Sequence, residues 1–137
     1  MILVDTGPLL ALCDPKDSQH GKAVAEMERL SRFPLAVCDP VMSEAWYLLR
    51  TVTLRRRLDT FVAQVPLLVW VPEDPELFRR EVLDWLERYA DQEPDWADGF
   101  LVVAAAQERA SKVWTFDSEF RTIWRRPDGS HVPLAMR

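Results

Sequence analysis

The feature that most constrains the fold is an alternation of short strand-like runs with longer stretches of helical period. The runs are Ile2-Leu3-Val4, Leu35-Ala36-Val37-Cys38, Leu67 to Val71 and Lys112 to Thr115, with Val132 to Leu134 as a fifth at the edge. Strands separated by helices pair in parallel through right-handed crossovers. The chain is therefore expected to be α/β, a sandwich of helices around a parallel sheet.

The helical stretches carry their own start signals. Pro8 suits the first turn of a helix through Leu12. Asp17 or Ser18 can cap a second, with Ala23, Val24, Met27 and Leu30 as its apolar face. Asp39-Pro40 starts a third, carrying Val41, Ala45, Leu48 and Leu49. Leu54, Leu58, Phe61, Val62 and Val65 mark a fourth, and Asp74-Pro75 opens a long one with Phe78, Val82, Trp85, Leu86 and Tyr89 inward. Pro94 breaks the chain before a helix from about Asp95 to Arg109. No repeat, low-complexity stretch or linker interrupts the series, so residues 1–137 read as one domain.

Composition narrows the function. Hydrophobic residues at 48% and charged residues at 28% suit a globular core, and no apolar run approaches the roughly 20 residues that span a bilayer. MILVDTGPLL has no basic leader and no cleavage site, so it is expected to be a retained strand of a cytoplasmic protein. Cys13 and Cys38 have neither zinc-ligand spacing nor a disulfide framework around them, and read as reduced, buried thiols. The net charge of −5 argues against nucleic-acid binding by a bulk positive field. An RNA substrate would need metal ions and local cations, for which Arg55-Arg56-Arg57, Arg79-Arg80 and Arg125-Arg126 are candidates. Each of these runs, taken alone, is more often a solvated helix face.

In an open parallel sheet, ligands collect outside the carboxyl ends of the strands. Asp5 follows the first strand and Asp117 the fourth; Glu44 sits one turn into the helix after the second, and Asp98 near the start of the helix before the fourth. Four carboxylates distant in sequence thus meet at one rim. Hard divalent cations such as Mg²⁺ and Mn²⁺ prefer such oxygens, and they assist phosphodiester hydrolysis without a protein nucleophile. Singly, each acid has a plainer reading: Asp5 a cap, Glu44 a surface residue, Asp117 a turn residue. Asp98 competes with Asp95, which stands where a cap is expected and shares its face. His20 and His131 have no second base or ligand at useful spacing and read as structural.

The stretches VDTGPLLAL at 4–12, SEAWYLL at 43–49, ADGFLVVAAA at 97–106 and TFDSEF at 115–120 together resemble the PIN-domain nucleases, most closely the toxins of VapBC-type toxin–antitoxin pairs. The likeness implies a three-layer α/β/α sandwich and endonucleolytic cleavage of RNA. It places the four family acids on Asp5, Glu44, Asp98 and Asp117, with Mg²⁺ or Mn²⁺ as cofactor and Asp5 and Asp98 as leading ligands. Thr6 and Thr115 resemble hydroxyls that position these carboxylates. A cognate antitoxin and a homodimer are implied as partners. Gly99 stands where alanine is commoner, and the tail RRPDGSHVPLAMR matches loosely. Trp46, Trp96 and Trp124 flank the acid motifs, and could stack an unpaired base, though filling a core or a dimer contact is the commoner role.

Other readings fit less well. A haloacid-dehalogenase phosphatase needs an Asp where Gly7 stands, and a receiver domain needs an acidic pair after its first strand. No glycine-rich phosphate loop occurs. An RNA-processing PIN nuclease without antitoxin, or a PIN scaffold without activity, are the nearer alternatives; all four acids being present disfavours the second.

Overall fold

A computed structural model of the chain describes residues 1–136, so Arg137 at the end of the tail lies outside them. Strands β1 (Ile2–Val4), β2 (Leu35–Cys38), β3 (Leu68–Trp70) and β4 (Lys112–Trp114) form one sheet in the order β3-β2-β1-β4, every pair parallel. The helices are α1 (Thr6–Cys13), α2 (His20–Leu30), α3 (Asp39–Leu48), α4 (Val52–Gln64), α5 (Pro75–Arg88), α6 (Trp96–Gln107) and α7 (Glu119–Thr122). Every residue of β1 and β2 is buried, as strands must be when helices cover both faces of a sheet. The result is the expected α/β/α sandwich. Among the described residues no helix is long and apolar enough to cross a membrane.

The element starts follow local chemistry. Asp74 caps α5 by accepting from the Leu77 amide, with Pro75 in the first turn. Asp95 caps α6. Thr51 caps α4 through the Leu54 amide, a signal the sequence reading passed over. The inward face of α5 is as expected: Phe78, Val82 and Trp85 are buried, and the removal of each from water contributes about 2 kcal/mol.

Expectations for α2, for α3 (whose Leu48 faces outward) and for the fifth strand need correction. α2 has no side-chain cap and begins after Gln19; Asp17 instead accepts from the Gln19 amide in the preceding turn. Its inward face is Ala23, Glu26, Met27 and Leu30, while Val24 points out. α3 starts one residue early, with Cys38 as its cap position. The fifth strand reduces to a single bridge between Val113 and Leu134, since Pro133 in its middle has no amide hydrogen for a ladder.

Gly99 has a packing role. A Cβ there would lie 3.0 Å from Leu86 Cδ2 and 3.2 Å from Trp85 Cε3, so α5 and α6 approach too closely for a larger residue. Gly99→Val should therefore destabilise the fold by about 2 kcal/mol through overpacking. Urea unfolding measures it; an unchanged midpoint would mean that α5 can retreat at no cost.

Candidate active site

The strand order turns back between β1 and β4: the chain runs outward from β1 to β2 and β3, then returns to place β4 on the other side. That reversal opens a crevice at the carboxyl ends of β1 and β4, where α/β sheets bind ligands. Asp5 leaves β1 there as the cap of α1, its backbone amide paired to the Trp114 carbonyl at 2.9 Å. Val4 pairs in register with Trp114, which brings Thr115 beside Asp5.

Two donors fix the Asp5 carboxylate. Oδ1 accepts from the Thr6 amide at 2.8 Å and Oδ2 from the Thr115 hydroxyl at 2.7 Å. The Thr115 hydroxyl in turn accepts from the Asp117 amide at 2.9 Å, which leaves its proton for Asp5. Asp117 Oδ1 accepts from the Glu119 amide, so the turn after β4 holds this carboxylate too. Burial pushes Asp5 up to about 6, against the lowering effect of its two donors, and the charges of Asp117 and Glu44 add to the rise.

Asp95 and Asp98 divide two roles between them. Asp95 Oδ1 accepts from the Asp98 amide, and Asp98 Oδ2 accepts from the Asp95 amide, a reciprocal capping box. Asp95 is exposed and Asp98 half-buried, with the latter facing the acid cluster. Burial raises Asp98 up to about 8, with Asp95, Asp5 and Asp117 adding repulsion. Glu44, on the first turns of α3, is likewise raised by burial and by the charge of Asp95. The structure thus brings all four expected acids together, with Asp95 at their margin.

The Thr6 hydroxyl is buried with no close hydrogen-bond partner, and it lies near the Glu44 carboxylate, whose rise it opposes. Thr115 holds the Asp5 carboxylate through its hydroxyl, while Thr6 holds it through its amide and sets its hydroxyl beside Glu44.

The donor set is all oxygen, crowded, mutually repelling and supplied with one orphan hydroxyl, which suits a hard divalent cation. Among the described residues no three His, Cys, Asp or Glu side chains converge closely enough to grip an ion unaided. Two carboxylates with water filling the remaining positions is the Mg²⁺ pattern, so Asp5 and Asp98 fit.

The remaining candidates have structural explanations. His20 Nδ1 bonds the Ala11 carbonyl at 2.6 Å, and His131 is exposed in the C-terminal turn. Both thiols are free and buried, with Cys13 pushed up to about 11 and Cys38 to about 12 by burial, so neither is a ready nucleophile. Arg55 stacks on Trp46 and donates to its carbonyl; Arg126 bonds Ser130. Trp124 is buried; Trp46 and Trp96 are exposed, and Trp96 lines a groove of about 420 Å³ with Asp39, Ser43, Glu44 and Asp95. On the opposite side of the acids, Lys22 and Arg121 line a cleft of about 130 Å³ with Thr115 and Asp117. Sequence reasoning singled out neither cation; Arg121, one turn beyond Asp117, was the findable one.

A family model described as the PIN domain matches residues 2–124 of the chain. Among solved structures, VapC20 of Mycobacterium tuberculosis, a sarcin-ricin loop cleaving toxin, is similar with a TM-score of 0.70 and 24% identity. The match covers 89% of this chain and 94% of that one, a likeness of fold. No curated protein matches.

Proposed function

The chain belongs to the PIN domain family, and from that premise we propose that it is a metal-dependent endoribonuclease, the toxic component of a type II toxin–antitoxin pair. The observation that carries the reading is the cluster of Asp5, Glu44, Asp98 and Asp117 at the sheet's reversal point, with Asp5 and Asp98 both raised toward neutrality by burial and mutual charge. Such crowding destabilises an empty site and rewards a cation. A divalent ion, when bound, supplies positive charge to the scissile phosphodiester and to the water that attacks it.

The chain's own residues do the rest. Asp5 and Asp98 hold the ion, one pinned by Thr115 and the Thr6 amide, the other by the Asp95 amide. Hydrolysis forms a bond from phosphorus to the water oxygen and breaks the one to a ribose oxygen, so a base must take a proton. Glu44 faces the open groove beside Thr6 and Asp95, which places its carboxylate for that task. Asp117, held by the Glu119 amide, completes the negative rim on the other side.

An RNA loop as substrate is suggested by the described activity of VapC20. A cytoplasmic nuclease of this kind needs restraint, and an antitoxin Arg paired with the acid rim would provide it. Large exposed apolar residues at Trp46, Tyr47, Leu48 and Val52, and along the edge strand at Leu68 and Val69, are faces for that antitoxin and for a second copy of the chain.

Purified protein should cut single-stranded RNA with Mg²⁺ or Mn²⁺, stop on adding EDTA, and show a higher unfolding midpoint with Mn²⁺ than with EDTA. Cleavage that survives EDTA, together with equal midpoints, would overturn the metal-dependent reading.

A further inference from the structure

The acid centre has two unlike flanks. The groove on the Glu44 side is bordered by three carboxylates, Asp39, Glu44 and Asp95, and by no cation. The cleft on the Asp117 side is bordered by two cations, Lys22 from α2 and Arg121 from α7, with Thr115, Phe116, Asp117 and Ser118 between them. An RNA strand lying across the centre carries phosphates to both sides, and only one side can neutralise them.

Resting on the nuclease reading, we propose that Lys22 and Arg121 form a phosphate subsite, which holds the RNA backbone next to the scissile bond on the Asp117 side. Both residues are exposed. Lys22 Nζ lies 4.8 Å from the centre of the Phe116 ring, so Phe116 props the ammonium at the mouth of the cleft beside the loop that carries Asp117. The Arg121 guanidinium makes no hydrogen bond among the described residues. The two negative groups of the cleft are differently employed. Glu26 is buried at the floor, with Oε2 accepting from Trp114 Nε1 at 2.9 Å. Asp117 has one oxygen tied to the Glu119 amide. Among the described residues neither carboxylate makes a hydrogen bond to Lys22 or Arg121.

This placement answers a difficulty raised by the net charge of −5. The arginine runs that stand out in the sequence do not line the acid centre: Arg55 and Arg56 border a separate cleft with Trp46 and Val52. The cations that do border it come from elements about 100 residues apart, joined by the Glu26–Trp114 and Lys22–Phe116 contacts.

The test is binding of a fluorescent single-stranded oligoribonucleotide in EDTA over a salt series, with cleavage kinetics in Mn²⁺ alongside. Lys22→Ala and Arg121→Ala should each weaken binding several-fold. Each should also flatten the slope of log K against log salt by about 0.7, the increment of one lost phosphate contact on a single strand. KM should rise while kcat holds within about twofold, and Arg121→Lys should keep the slope. Arg55→Ala and Arg56→Ala should leave it unchanged. Weaker binding with an unaltered salt slope would mean a structural role and overturn the subsite, as would flattening by the Arg55 and Arg56 variants instead. If the wild-type chain cuts RNA yet both substitutions are silent, the subsite alone falls. If it neither binds nor cuts RNA, the nuclease reading falls with it.

Discussion

Asp5→Asn should abolish RNA cleavage and, in the same variant, make the metal-free protein more stable at pH 8. The carboxylate is buried, and its folded-state value of about 6 stands above the ordinary 3.8. A raised carboxylate means that the native state holds its proton more tightly than the unfolded chain. Stability attached to that proton is fully present below pH 4, falls as pH rises from about 4 to about 6, and is absent above. The shift corresponds to about 3 kcal/mol at most. Asparagine never ionises, so it escapes that loss. Its amide keeps the local geometry, with the oxygen accepting from Thr6 and the NH₂ donating to the Thr115 hydroxyl in place of the reverse bond. Urea unfolding in EDTA should therefore show wild type and variant alike near pH 4, and the variant ahead by up to about 3 kcal/mol at pH 8. Adding Mn²⁺ should raise the wild type and not the variant, since mass action requires a ligand site. An Asn variant no more stable than wild type at pH 8 would mean that Asp5 is not held at an electrostatic cost.

How much of this was legible follows from how local each signal is. Asp5 could be read because strand, carboxylate and helix start are contiguous, and the parallel topology follows from alternation alone. Gathering Asp5 with Asp117 needed only that both follow strands, since the β1–β4 pairing aligns strand ends. Asp95 and Asp98 were legible as a pair, but their division into exposed cap and half-buried acid depends on how α6 docks against α3 and α5. Lys22 and Arg121 were not legible, because α2 is tied to β4 and to the loop before α7 by contacts between residues about 90 apart. Val24 and Leu48 fit the apolar period of their helices and yet face outward. Periodicity reports that a helix has an apolar face; it cannot say whether this chain or another covers it. Gly99, a departure from the family pattern, became intelligible only beside Leu86 and Trp85.

Asp98→Asn should reduce cleavage by at least about a hundredfold, whereas Asp95→Asn should cost a few-fold at most near neutral pH. Asp98 Oδ2 accepts from the Asp95 amide, a bond an Asn oxygen can still accept, so the Asp98 variant keeps its fold and loses a charge. Asp95 acts through Oδ1 as the acceptor of the Asp98 amide, and Asn caps helices about as well as Asp. The residual effect of Asp95 is electrostatic. Its charge helps to raise Asp98, which burial already lifts up to about 8, and it raises Glu44 as well. Removing it lowers both, so their carboxylates ionise at lower pH. Because the ionised forms are the ones that hold a cation and accept a proton, the ascending limb of the pH–rate profile should move toward acid in Asp95→Asn. The profile separates two outcomes that a single-pH assay would merge. An Asp95→Asn enzyme that is slow at every pH, beside an Asp98→Asn enzyme that still cuts, would place the essential carboxylate one helical turn earlier. A limb displaced to lower pH with the plateau kept would mark Asp95 as a charge that tunes its neighbours.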